Sequence, residues 1–362
     1  MLLVRRHYIL LLRMVILPLY QRSAHENQNV LRYRYVLNFG SLKTPKALSH
    51  DLLLLPQCEE GNLPLHEALS TAADKPDAPQ ISVVLLEAFP DAVNATTDEG
   101  LLPIHLAAMS GFSSGLRTLF AYNFKTIECR ECTELMLPID FAVDGYNSEE
   151  VQESNVLSSN RELLSVAHLP SVSRENAEDK KSNFISCIEI LLSSAFYGRP
   201  ILNPRNPERN EYPFLPLHGA VTARPLLPTW KTLLSIYSKD HISDEDKLGR
   251  TIAHALCVGK SFDEAVEIEM AKDMHRHDSD LFSLLDNYGF LPLHLCLLNE
   301  NTTFDFIRTL MEFNRGSVDV EINGSFESQY TGFTAYQVAA ASNCDLSIIF
   351  FLMTRNPTLV NR

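Results

Sequence analysis

The sequence predicts an all-α solenoid of stacked helix-turn-helix units joined by hairpin-like turns, and three observations lead there. First, one phrase recurs. It reads Gly61-Asn62-Leu63-Pro64-Leu65-His66, Gly100-Leu101-Leu102-Pro103-Ile104-His105, Leu215-Pro216-Leu217-His218 and Gly289-Phe290-Leu291-Pro292-Leu293-His294, with weaker copies ending at Asp140, His254 and Gln337. Second, successive copies lie 39, 35, 78, 36, 40 and 43 residues apart, the 78 being one period plus an insertion. A period of about forty residues is the mark of a repeat architecture. Third, each phrase is followed by small residues and then by apolar residues at helical spacing, as in Phe184, Cys187, Ile188, Leu191, Leu192 and Ala195.

Each position of the phrase has a physical reason. Gly before an apolar pair suits a turn that needs positive φ, and Pro suits the first residue of a helix, where its missing N–H costs nothing. Turn, short small-residue helix and longer apolar helix therefore form the unit. Leu116, Leu119 and Phe120, then Trp230, Leu233, Leu234 and Tyr237, then Phe304, Ile307, Leu310 and Met311 supply the second helices of later units. So small a unit cannot bury its stripe alone, and neighbours must stack to cover it.

Along the chain, residues 1–46 form a basic, apolar N-terminal segment of unknown role. The charge-free run after Arg13, from Met14 to Gln21, is far shorter than the roughly twenty residues a bilayer span requires. Val30 to Leu37 alternates like a strand. Ala47 to Leu55 reads as the second helix of an incomplete leading unit, and the array fills 47–362. Within the third unit, residues 144–183 are rich in Ser, Asn, Glu and Lys and predict a disordered insertion, with the second helix resuming at Phe184. The last helix, around Ile348 to Met353, is apolar all round, and the tail Asn356-Pro357-Thr358-Leu359-Val360-Asn361 resembles Phe89-Pro90-Asp91-Ala92-Val93-Asn94.

Turn, Pro-started helix and Leu-rich second helix together resemble the ankyrin repeat over residues 60–362. The family usually has Thr where this chain has Leu63, Leu102, Leu137, Leu215 and Leu291; only Thr251 and Thr334 keep the hydroxyl. Loss of a Thr cap costs about 1 kcal/mol, so softer units are expected.

Composition narrows the function. Formal net charge is −14, yet residues 1–47 carry +7, leaving −21 on the array. An acidic array speaks against nucleic acid, whose phosphates demand clustered Lys and Arg. Seven cysteines, an odd number without regular spacing, indicate a reducing compartment and hence the cytoplasm, with organelle targeting by the basic, acid-poor N-terminus as the alternative. Cys129 and Cys132 form a lone CxxC without partner ligands, and His275 and His277 face apart on a helix, so no metal or other cofactor is expected. His66, His105, His218, His254 and His294 occur once per unit, too far apart to converge on one reacting atom. They are expected to hydrogen-bond backbone in the adjacent turn and tie one unit to the next. No nucleophile elbow, phosphate loop or paired-carboxylate motif appears.

The resemblance implies that turn tips form a row that contacts partners. That row reads Asn62, Leu101, Met136, Phe214, Arg250, Phe290 and Phe333, mostly large and apolar. Leu101, Met136, Phe214, Phe290 and Phe333 are thus candidate partner-binding residues with Arg250 as a polar anchor, unless they cover one another against the next turn. The expected function is a non-enzymatic scaffold that binds a protein segment on its turn-tip or concave surface. The alternative is the recognition part of a larger enzyme or adaptor assembly.

Overall fold

The computed structural model describes residues 62–70, 78–149, 172–202, 214–259 and 263–355, with side chains of 172–178 left aside. The N-terminal segment, the leading half-unit, the strand-like run at 30–37, the middle of the insertion and the tail after Arg355 lie outside these residues. Among the described residues there are fourteen α-helices and no strand, arranged as seven pairs. The pairs are α1 (Pro64–Ser70) with α2 (Ala78–Ala88), α3 (Pro103–Met109) with α4 (Ser113–Asn123), and α5 (138–149) with α6 (Val172–Tyr197). They continue with α7 (Pro216–Ala223) and α8 (Leu227–His241), then α9 (Ile252–Val258) and α10 (Glu264–His277). The last two pairs are α11 (Pro292–Leu297) with α12 (Phe304–Phe313), and α13 (Ala335–Ala341) with α14 (Leu346–Arg355).

The two ends of the expected insertion at 144–183 are helical. Helix α5 runs on to residue 149, and α6 begins at Val172, well before Phe184. Residues 144–149 and 179–183 are exposed or half-buried on these helices, because a composition that cannot make a core can still solvate the outer face of a helix that is anchored elsewhere. Phe184 is that anchor, its ring buried against Gly111 and Gly145.

Pro stands in the first turn of α3, α7 and α11, and positive φ is found at Gly100, Gly249, Gly289 and Gly332 in the turns before the first helices. The N-cap leucines 102 and 291 offer no side-chain acceptor, yet both are buried. Burial of a leucine contributes about 1.5–3 kcal/mol, which offsets the cap of about 1 kcal/mol that Thr would supply. The softness expected from the missing hydroxyl is therefore not a necessary consequence.

Stacking follows one rule with one exception. First helices pack on first helices, α1 on α3 and α7 on α9, α11 and α13 in succession, while second helices pack on second helices, α2 on α4 on α6 and α8 on α10 on α12 on α14. Between the third and fourth units the partners exchange. Asp140 at the start of α5 accepts from Leu226 N at 2.9 Å, Asn147 near its end meets Thr232 Oγ1 at 3.4 Å, and α6 lies against α7. Thus α5 runs alongside the second helix of the next unit and in the same direction. Arg130, in the third turn, donates to Arg224 O in the loop between α7 and α8 at 2.6 Å, as this exchange requires.

Candidate functional site

The histidine row is a set of backbone clamps. Nδ1 of His66, His105, His254 and His294 accepts the N–H of Leu63, Leu102, Thr251 and Leu291 at 2.9–3.1 Å. With Nδ1 accepting, the proton sits on Nε2. That nitrogen reaches forward to Ala95 O from His66 at 3.1 Å, Cys129 O from His105 at 3.0 Å, Arg250 O from His218 at 2.8 Å and Phe290 O from His254 at 3.0 Å. The rings of His66, His105 and His254 thus tie their own helix start to the following turn. In His294, Nε2 faces Val320 without strict hydrogen-bond geometry, and in His218 it is Nδ1 that lacks a partner. Burial lowers the pKa of all five, so the neutral ring this bonding needs is the stable form.

Asp140 holds the same place at the junction and performs a different task. A carboxylate only accepts, so besides Leu137 N at 2.7 Å it takes Leu226 N rather than bonding a carbonyl. Burial pushes its pKa up, against the lowering effect of those N–H groups, Thr229 and Arg130.

The second, third, fifth and sixth turns also have an organiser that the recurring phrase did not reveal. Asp246 Oδ1 accepts from Leu248 N and Arg250 N, and Asp286 Oδ1 from Tyr288 N and Phe290 N, all at 2.8–2.9 Å. Thr97 serves Leu101 N at 3.1 Å. In the third turn, burial would raise Glu131, but donors from Thr133, Glu134 and Met136 prevail and hold it at about 2. The signal was present in the sequence: Asp246 and Asp286 stand 40 residues apart, each three before a Gly.

The candidate binding residues do not form one stripe. Tips of the first three units sit at the starts of α1, α3 and α5, a row that continues into α8, whereas later tips sit at the starts of α7, α9, α11 and α13. The exchange at the junction therefore divides Leu101 and Met136 from Phe214, Arg250, Phe290 and Phe333. Met136 and Phe290 are 8% and 6% exposed and offer a partner no surface. Leu101, Phe214 and Phe333 are half-buried against the core. Arg250 is engaged within the array: its Nε lies 3.3 Å from Asp286 Oδ2 in the next turn.

What the structure assembles instead is an aromatic edge on the last turns. Asn287 N donates to Leu248 O at 2.8 Å and Phe326 N to Asn287 O at 3.1 Å, joining the fifth, sixth and seventh turns through backbone. Along this edge Tyr288 meets Phe326 at 5.2 Å and Phe290 at 6.5 Å between ring centroids. Phe290 meets Tyr330 at 6.3 Å, and Tyr330 meets Phe333 at 6.0 Å. Phe326 is 50% exposed, and Tyr288, Tyr330 and Phe333 are partly open. The sequence reading used Phe290 and Phe333 but missed Tyr288, Phe326 and Tyr330. Tyr-Gly-Phe at 288–290 and Tyr-Thr-Gly-Phe at 330–333 were the available sign.

The units are ankyrin-like in build. No family model matches the chain, and no curated protein sequence matches it either. Among solved structures it is similar to the human ASB11 ankyrin repeat domain, with 15% identity over 82% of this chain and 98% of that one and a TM-score of 0.32. It is also similar to a chain in the complex of the predatory endopeptidase Bd0816 from Bdellovibrio bacteriovorus with immunity protein Bd3460, with 16% identity, coverage of 68% and 97%, and a TM-score of 0.28. The fold itself is defined by the turn, clamp and helix-pair geometry. Among the described residues no helix is long and apolar enough to cross a membrane, and no group of three or more His, Cys, Asp or Glu is placed to hold a metal ion.

Proposed function

We propose that this chain is a non-enzymatic protein-interaction scaffold of the cytoplasm that captures a protein segment on the aromatic edge of its last three turns. The observation behind this reading is the run of rings from Tyr288 and Phe326 to Tyr330 and Phe333, joined by backbone hydrogen bonds and partly open to solvent. Aromatic side chains are the commonest interface anchors, because they bury much area while few torsions are frozen. The histidines are structural in this reading, and Arg250 holds two turns together rather than anchoring a ligand.

The test is capture of partners from the source cell with the native chain beside a Tyr288→Ala, Phe326→Ala variant. Phe326 is exposed and Tyr288 is only partly buried at the rim of the core, on turns outside the helices, so helicity by circular dichroism should be unchanged while a defined partner is lost. Recovery of the same partners by both chains would overturn the reading.

A further inference from the structure

The aromatic edge carries charge as well as rings, and the two together select a ligand. Residues 319–333 close the seventh turn: Gly332 N donates to Ile322 O at 2.8 Å and Ile322 N to Phe333 O at 3.0 Å, so 323–331 form its tip. Asp319, Glu321 and Glu327 are exposed on this turn, Glu327 directly after the exposed Phe326. Among the described residues Glu321 and Glu327 make no ion pair, in contrast to Asp286, which the neighbouring Arg250 engages. A turn that carries both partly open rings and exposed carboxylates without ion pairs is matched by a group that is flat, cationic and rich in donors. Guanidinium is that group, since it stacks on a ring face and pairs with a carboxylate at the same time, whereas an ammonium is a compact and strongly hydrated point charge.

We infer that the edge formed by Tyr288, Phe326 and Tyr330 with Glu321 and Glu327 takes an extended, arginine-bearing segment of a partner protein. This rests on the edge being the docking site, as proposed above, and adds the chemistry of the occupant. Charge complementarity supports it on two scales, the local carboxylates and the −21 left on the array once residues 1–47 are set apart. The rings bind the guanidinium faces, the carboxylates select positive charge, and the backbone-joined tips hold the rings in place.

The experiment is fluorescence anisotropy of the full chain with short labelled Gly/Ser peptides that carry arginine, lysine or citrulline at alternate positions. The arginine peptide should bind, the lysine peptide about fivefold more weakly, as loss of ring stacking implies, and the uncharged citrulline peptide not measurably. Glu321→Gln with Glu327→Gln, which removes charge and touches no packing, should weaken the arginine peptide and flatten its salt dependence. Phe326→Ala should weaken it without changing the salt dependence.

Equal binding of arginine and lysine peptides would overturn the inference, as would binding unaffected by either variant, which would place the cation elsewhere on the acidic array. Failure of the arginine peptide combined with loss of cellular partners in the Tyr288→Ala, Phe326→Ala chain would refute the arginine assignment and leave the docking edge standing. Unchanged capture by that chain would refute the edge itself.

Discussion

Acid should loosen the stack through its histidine row, and His294 sets the scale. Burial lowers its pKa to about 4, against 6.5 for the ordinary ring. The unfolded chain therefore takes up a proton that the folded one refuses, so the contribution is complete above about pH 6.5 and is lost as pH falls toward the folded value. From that difference, His294 alone removes about 2 kcal/mol at about pH 5 and about 3 kcal/mol by about pH 4. Burial shifts His66, His105, His218 and His254 the same way, and they steepen the fall. The informative perturbation is His294→Gln, because Gln337 already fills this place in the last unit, its Oε1 accepting from Thr334 N at 2.8 Å. The assay is urea unfolding followed by far-UV circular dichroism at about pH 7.5 and about pH 5, where the variant should lose about 2 kcal/mol less than the native chain on acidification. Equal losses in the two chains would refute the reasoning, and so would a native chain as stable at the lower pH.

Two further substitutions probe the exchanged junction. Asp140→Asn keeps the shape but leaves one acceptor oxygen for the N–H groups of Leu137 and Leu226, so one of them loses its bond; a cost of about 1–3 kcal/mol in thermal or urea unfolding is expected. Gly219→Ala would drive a methyl into the backbone of Leu192 where α7 crosses α6, and should lower the melting temperature far more than Gly198→Ala, which meets only open space and the strain of positive φ. Similar melting temperatures for the two glycine variants would mean that α6 and α7 are not in contact as described.

Among the described residues the phrase was enough to place the starts of the first helices and the second helices that follow them, because periodicity and Pro-Gly punctuation are local properties of the chain. The clamp role of the histidines was legible for a related reason: one ring per unit, beside a helix start, has only the neighbouring backbone within reach. Turn organisers such as Asp286 escaped notice because their signal is a spacing to the following Gly, not part of the phrase. The helical ends of the stretch 144–183 were not legible, because composition records solvation and not the anchor that Phe184 provides for α6.

By itself, then, the sequence determined the build of the unit and the histidine chemistry that links one copy to the next. Only the tertiary structure decided how the third unit meets the fourth, since first-helix and second-helix stripes are both apolar and either can cover the other. Asp140, an acceptor where the other units have a donor, is the local trace of that choice. The exchange divides the turn tips into two rows, while packing within the last turns buries Phe290 and leaves Phe326 open to solvent.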